Sequence, residues 1–153
     1  MDGGAALTDS RLGQMPGNLR ELVLDKWRSE NIPLKEPLSP DKIVGYLEKL
    51  GISASPELLE VYFVLSQFDE DEMDNECLNF WSLKKVTKEN RAGADSIRFA
   101  DFLIDSHLYT FRIESNNSIS IYVDYLNGEK IKIADSFASF FRLYLHDVKK
   151  LFP

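Results

Sequence analysis

Six carboxylates fall within eight residues of this chain: Asp69, Glu70, Asp71, Glu72, Asp74 and Glu76. At that density they can hold a hard cation, dock a basic partner, or simply face water. An EF-hand calcium loop needs glycine at its sixth position and glutamate at its twelfth. Counting from Asp69, those positions are Asp74 and Phe80. No metal site or cofactor is therefore expected, and the six acids become candidate partner-binding residues. The other reactive groups are sparse. His107 and His146 are the only histidines and Cys77 the only cysteine, too few and too scattered for a zinc set. Asp105, Ser106 and His107 hold the residue types of a nucleophile–base array. Consecutive strand residues point to opposite faces, so they cannot converge on one reacting atom. Neither GxGxxG nor GxxxxGK[ST] occurs, which removes the common phosphate loops. No catalytic residue is assigned, and a non-enzymatic domain is expected.

Charge narrows the partners. The formal net charge is -7 and the isoelectric point is near 4.9. Such a field repels nucleic acid and anionic membranes and attracts basic proteins. No apolar run is long enough to span a bilayer, and no basic-then-apolar leader opens the sequence. A single cysteine makes no internal disulfide, so a reducing, cytoplasmic setting is expected.

The elements that must position these acids are legible from local patterns. Residues 1–16 lack periodicity. Asn18 reads as the cap of a first helix carrying Leu19, Leu22, Val23 and Trp27, stopped by Ile32-Pro33 and Glu36-Pro37. Ser39-Pro40 and Ser55-Pro56 repeat one start signal, an N-cap followed by a proline whose missing N–H is harmless. The first opens a helix with Ile43, Val44, Leu47 and Leu50, closed by Gly51. The second opens a helix with Leu58, Leu59, Tyr62 and Phe63 along one side, and Val61 and Leu65 widen its apolar surface. The acidic loop follows. Cys77–Trp81 reads as a short strand, and Ser82 caps a short helix through Leu83 and Val86. Tyr109, Phe111 and Ile113, then Ile119, Ile121, Val123 and Tyr125, then Ile131 and Ile133, recur with a period of two. Ser115–Ser118 and Asn127-Gly128 separate these runs, the latter as a type I′ signal. Asp135 or Ser136 then caps a helix bearing Phe137, Phe140, Phe141, Tyr144, Leu145 and Val148. The class expected is α+β: an antiparallel or mixed sheet with a C-terminal meander, packed against N-terminal helices and a C-terminal helix.

The segment LGISASPELLEVYF (Leu50–Phe63) resembles the entry helices of the SMI1/KNR4 family of the SUKH superfamily. Phe80-Trp81-Ser82-Leu83 resembles that family's short strand and turn, and Ile97–Phe102 is similar to its "ipFadf" segment. Ile133–Phe141 resembles its closing strand-to-helix motif. The likeness covers roughly 39–145 and implies a division into a 1–38 N-terminal extension with one helix and a 39–153 SUKH-like domain. Where the family often has Asn-Gly after the second helix, this chain has Ser66-Gln67-Phe68. The resemblance implies binding and brings no catalytic residues. Bacterial members suggest an immunity protein that neutralises a basic toxin domain of nuclease or deaminase type. Eukaryotic members suggest a regulatory or scaffolding module.

Overall fold

A computed structural model describes residues 15–153. Among them are α1 (Gly17–Ser29), α2 (Pro40–Lys49), α3 (Pro56–Leu65), β1 (Leu78–Phe80), α4 (Leu83–Glu89), β2 (Ile97–Phe102), β3 (His107–Ile113), β4 (Ile119–Asp124), β5 (Lys130–Ala134), α5 (Phe137–His146) and a 3-10 turn (Val148–Leu151). The five strands pair in sequence order, every neighbour antiparallel. The architecture is α+β, as expected, with no parallel pair in the sheet.

Serine caps set most helix starts. The Ser39, Ser55, Ser82 and Ser136 side chains accept N–H bonds from Lys42, Leu58, Lys85 and Ser139. Ser136, not Asp135, is therefore the cap of α5. Helix α1 differs from expectation. Pro16 holds the cap position, Arg20 N–H bonds the Pro16 carbonyl at 3.1 Å, and Asn18 lies inside the helix. The helix also stops before its prolines. Asn31 turns left-handed at φ 61°. Ile32 N–H then reaches Trp27 O at 3.0 Å and Asn31 N–H reaches Arg28 O at 3.1 Å, which satisfies the last carbonyls. Gly51 ends α2 in the same way at φ 78°.

The face of β3 and β4 carrying Tyr109, Phe111, Ile121 and Val123 is fully buried. Helix α5 covers it with Phe137, Phe140 and Phe141. Ring pairs lock this layer, with Phe99–Phe137 at 5.2 Å and Phe140–Phe141 at 5.3 Å, both edge-to-face. Helix α1 buries Leu19, Val23, Leu24 and Trp27, while Leu22 faces solvent. Trp27 stacks edge-on against Phe68 at 4.9 Å and donates its indole N–H to Tyr144 Oη at 2.8 Å. One continuous core thus includes residues from Met15 to Leu151, with Trp27 of α1 among its fully buried side chains. Helix α3 buries Leu58, Val61, Tyr62, Val64 and Leu65, and Phe63 lies on its exposed side.

Candidate functional site

The acidic loop is closed at its base by an antiparallel bridge between Leu34 and Phe68, with Lys35 N–H on Gln67 O at 2.8 Å. Its own side chains then shape it. Asp69 Oδ1 accepts the Asp71 N–H at 3.0 Å, an Asx turn. The Asn79 side chain in β1 donates to both Glu70 O (2.6 Å) and Glu72 O (2.7 Å). Glu70 Oε1 accepts the Ser82 N–H at the start of α4, at 3.1 Å. Three of its residues, Glu70, Glu72 and, as described below, Asp74, are therefore tied to β1 by hydrogen bonds.

The six acids do not share one environment. Asp74 is 5% exposed. Its Oδ1 accepts N–H bonds from Glu76 (2.9 Å) and Leu78 (2.8 Å), and its Oδ2 accepts the Tyr144 hydroxyl. Lys26 of α1 reaches into the same place. Its Nζ lies 3.9 Å from Asp74, 2.5 Å from Glu76, and pairs with Glu30. Glu30 in turn accepts the Asn75 N–H at 2.7 Å. Of the six candidate partner-binding residues, Asp74 is thus buried beneath the loop and Glu76 is tied to Lys26. The cause is nonlocal: a lysine from α1 and a tyrosine from α5 meet beneath the loop. Burial pushes the Asp74 carboxyl up, against the opposing pull of the Tyr144 hydroxyl, the Leu78 N–H and the Lys26 charge. Burial pulls the Lys26 ammonium down, but the bonds to Glu30 and Glu76 and the Asp74 charge outweigh it and hold it above its ordinary value. Glu30, Asp74 and Glu76 place oxygens within 4.8 Å of one another, a spacing that suits a cation. The Lys26 ammonium already sits among them.

Glu70, Asp71 and Glu72 face the other way. With Met73, Asn79, Lys85, Asp101, Ile104 and Asp105 they line an open depression of about 250 Å³. Five carboxylates and one ammonium therefore border it. Lys85 stands over the Trp81 ring at 4.6 Å, and the Trp81 indole donates to Asp101 Oδ2 at 2.7 Å. Asp69 belongs to neither group and serves as the turn cap. Asp101, Asp105, Met73 and Ile104 were not among the expected site residues. Met73 belongs to the loop itself, and Asp101, Ile104 and Asp105 reach it because β1 pairs with β2, Leu78 opposite Phe102 and Phe80 opposite Ala100.

The Asp105, Ser106 and His107 side chains find separate uses. Asp105 and Ser106 lie in the β2–β3 turn rather than in a strand, and Ser106 Oγ donates to Leu103 O at 3.0 Å. His107 is buried, stacked on Phe102 at 4.8 Å, with its Nε2 3.1 Å from Tyr109 Oη. Burial lowers its pKa, so the ring is neutral near pH 7. A second, larger depression of about 390 Å³ lies between the α2–α3 link and the β3–β4 turn, lined by Ile52, Ala94, Ile97, Phe111 and Arg112 among others. It gathers no cluster of titratable groups. No helix among the described residues is long and apolar enough to cross a membrane. Compared with protein-family models and with curated proteins, the chain matches none.

Proposed function

We propose that this chain is a non-catalytic protein-binding domain of the SUKH type that neutralises a basic toxin domain, of nuclease or deaminase type, by direct binding. The observation that carries the proposal is the preorganised acidic depression. Glu70, Asp71 and Glu72 sit on backbone held by Asn79 and by buried Asp74, opposite Asp101 and Asp105. A rigid, predominantly acidic surface loses little conformational entropy on binding and steers an oppositely charged partner over a long range. The net charge of -7 extends that field over the whole molecule. The resemblance of Leu50–Phe63 and Ile133–Phe141 to the SMI1/KNR4 family, whose bacterial members suggest immunity proteins, supports a binding role.

The test uses the tagged protein and a triple variant, Glu70→Gln, Asp71→Asn, Glu72→Gln, as baits in the native host at two salt concentrations. One stoichiometric basic partner is expected on the wild type, depleted at the higher salt and absent from the variant. Expressing that partner alone should then be toxic, with co-expression of the wild type restoring growth. A spread of partners indifferent to the triple substitution would replace the toxin inhibitor with a regulatory or scaffolding module.

A further inference from the structure

The three tips of the meander are built from different residues. The β3–β4 tip uses Asn117 at φ 67°, and the β4–β5 tip uses Leu126 and Gly128 at 66° and 95°. The β2–β3 tip contains neither glycine nor asparagine. Leu103, Ile104 and Asp105 are all left-handed, at φ 47°, 51° and 66°. Ser106 N–H closes this turn on Phe102 O at 2.9 Å. Left-handed backbone disfavours any side chain with a Cβ, and a β-branched one most. Burial does not compensate here, because Leu103 is 46% and Ile104 79% exposed. Leu126 at the β4–β5 tip is also left-handed and 49% exposed, but it shares its tip with Gly128, whereas here two apolar residues project together. The Leu-Ile pair is thus exposed in a backbone conformation that disfavours it. Ile104 and Met73, which is 41% exposed, border the same depression as the five carboxylates.

We propose that Ile104 and Met73 form an apolar anchor for a basic amphipathic segment of the partner, whose leucine- or phenylalanine-like side chains pack there while its lysines or arginines meet Glu70, Asp71, Glu72 and Asp105. This rests on the docking role proposed for the acidic depression and names what that depression receives. The pairing follows the usual layout of interfaces, a desolvated apolar centre inside a charged rim. A volume of about 250 Å³ is at the small end for a ligand cavity and suits inserted side chains better.

The probes are two fluorescent helical peptides of equal charge, one with lysine and leucine at helical spacing and one with the leucines replaced by serine. Anisotropy titrations at two salt concentrations compare wild type, Ile104→Asn, Phe63→Ser and the triple charge variant. The wild type should prefer the leucine peptide by about tenfold, the effect of burying one large apolar side chain at an interface. Ile104→Asn should abolish that preference with an unchanged circular dichroism spectrum. Phe63→Ser, at a 42% exposed apolar site on α3, should keep it. Equal binding of both peptides, lost only in the charge variant, overturns the anchor and leaves the acidic surface standing. A preference that falls equally in Phe63→Ser also overturns the anchor, since the contact is then nonspecific. Binding of neither peptide sinks both.

Discussion

Substituting Lys26→Met removes the one ammonium among three converging carboxylates and keeps most of the apolar stem. The Asp74 side chain is fully buried and that of Glu30 nearly so, while Glu76 retains access to water. Glu76 can therefore swing outward in the variant, whereas Asp74 stays beside the Tyr144 hydroxyl with its charge uncompensated. Breaking a buried pair by removing one partner costs about 3–5 kcal/mol. For a domain of this size that lowers Tm by roughly 6–20 °C. The pH dependence has a definite sign. Burial already holds the Asp74 carboxyl above its ordinary value, and the variant removes the Lys26 charge that opposes it, so folded Asp74 binds a proton still more readily than the unfolded group. Its deficit against wild type therefore shrinks as pH falls from 7 towards 5. The vacated oxygens lie within 4.8 Å of one another, a fit for a hard cation. Calcium at about a hundredfold above its Kd should restore about 2.7 kcal/mol to the variant and nothing to the wild type. Urea melts at pH 7 and pH 5, with and without calcium, measure all three effects. A deficit below about 1 kcal/mol, or one that ignores pH, refutes the assignment of Lys26 as a buried counter-ion.

Glu57 offers a second titration. It is buried in the first turn of α3 and accepts the Phe137 N–H at 2.9 Å. Burial pushes its carboxyl up to about 7 from 4.5, opposed by the Phe137 bond and assisted by the Glu60 charge. The folded state then holds the extra proton between those values, so stability falls as pH rises through that window, by at most about 3 kcal/mol. Glu57→Gln should flatten that slope in thermal melts. Trp27→Ala should cost about 3–5 kcal/mol in urea unfolding, because the ring lies in the shared core between Phe68 and Phe80. A loss below about 1 kcal/mol would show that α1 is dispensable. Ile104→Asn should raise stability by about 1 kcal/mol, or Tm by about 2–4 °C, by relieving a left-handed isoleucine. A lower Tm would mean that the isoleucine contributes to the fold.

The parts legible in the sequence are those decided within a few residues. A serine caps the N–H three positions on, so Ser39, Ser55 and Ser82 could be read directly, while Ser136 was one of two candidates with Asp135. Alternation of period two likewise exposed the core face of β3 and β4. Asn127-Gly128 shows where this breaks down. Asn127 Oδ1 bonds the Glu129 N–H, and Asp124 Oδ1 bonds the Leu126 N–H, both at 2.9 Å. These bonds select a wider loop in which Leu126 rather than Asn127 turns left-handed. The acidic run is the harder case. Whether Asp74 or Asp71 meets solvent depends on Tyr144, seventy positions from Asp74, and no local pattern encodes that. The β2–β3 tip did carry a signal: two apolar residues at a chain reversal that has no glycine or asparagine.

The bond from Trp27 to Tyr144 joins residues 117 positions apart, and it bears on how the chain must be made. Strands paired in sequence order can zip together as they leave the ribosome, one hairpin at a time. Phe99, Tyr109 and Phe111 of their aromatic face, however, pack on the phenylalanines of α5. A nascent chain that has emerged as far as Ala134 presents these three rings with α5 still inside the exit tunnel. At about 5–20 residues per second that interval lasts on the order of seconds. Synthesis of this protein therefore includes a stage at which a chaperone, or a neighbouring copy on the same polysome, meets an open hydrophobic sheet.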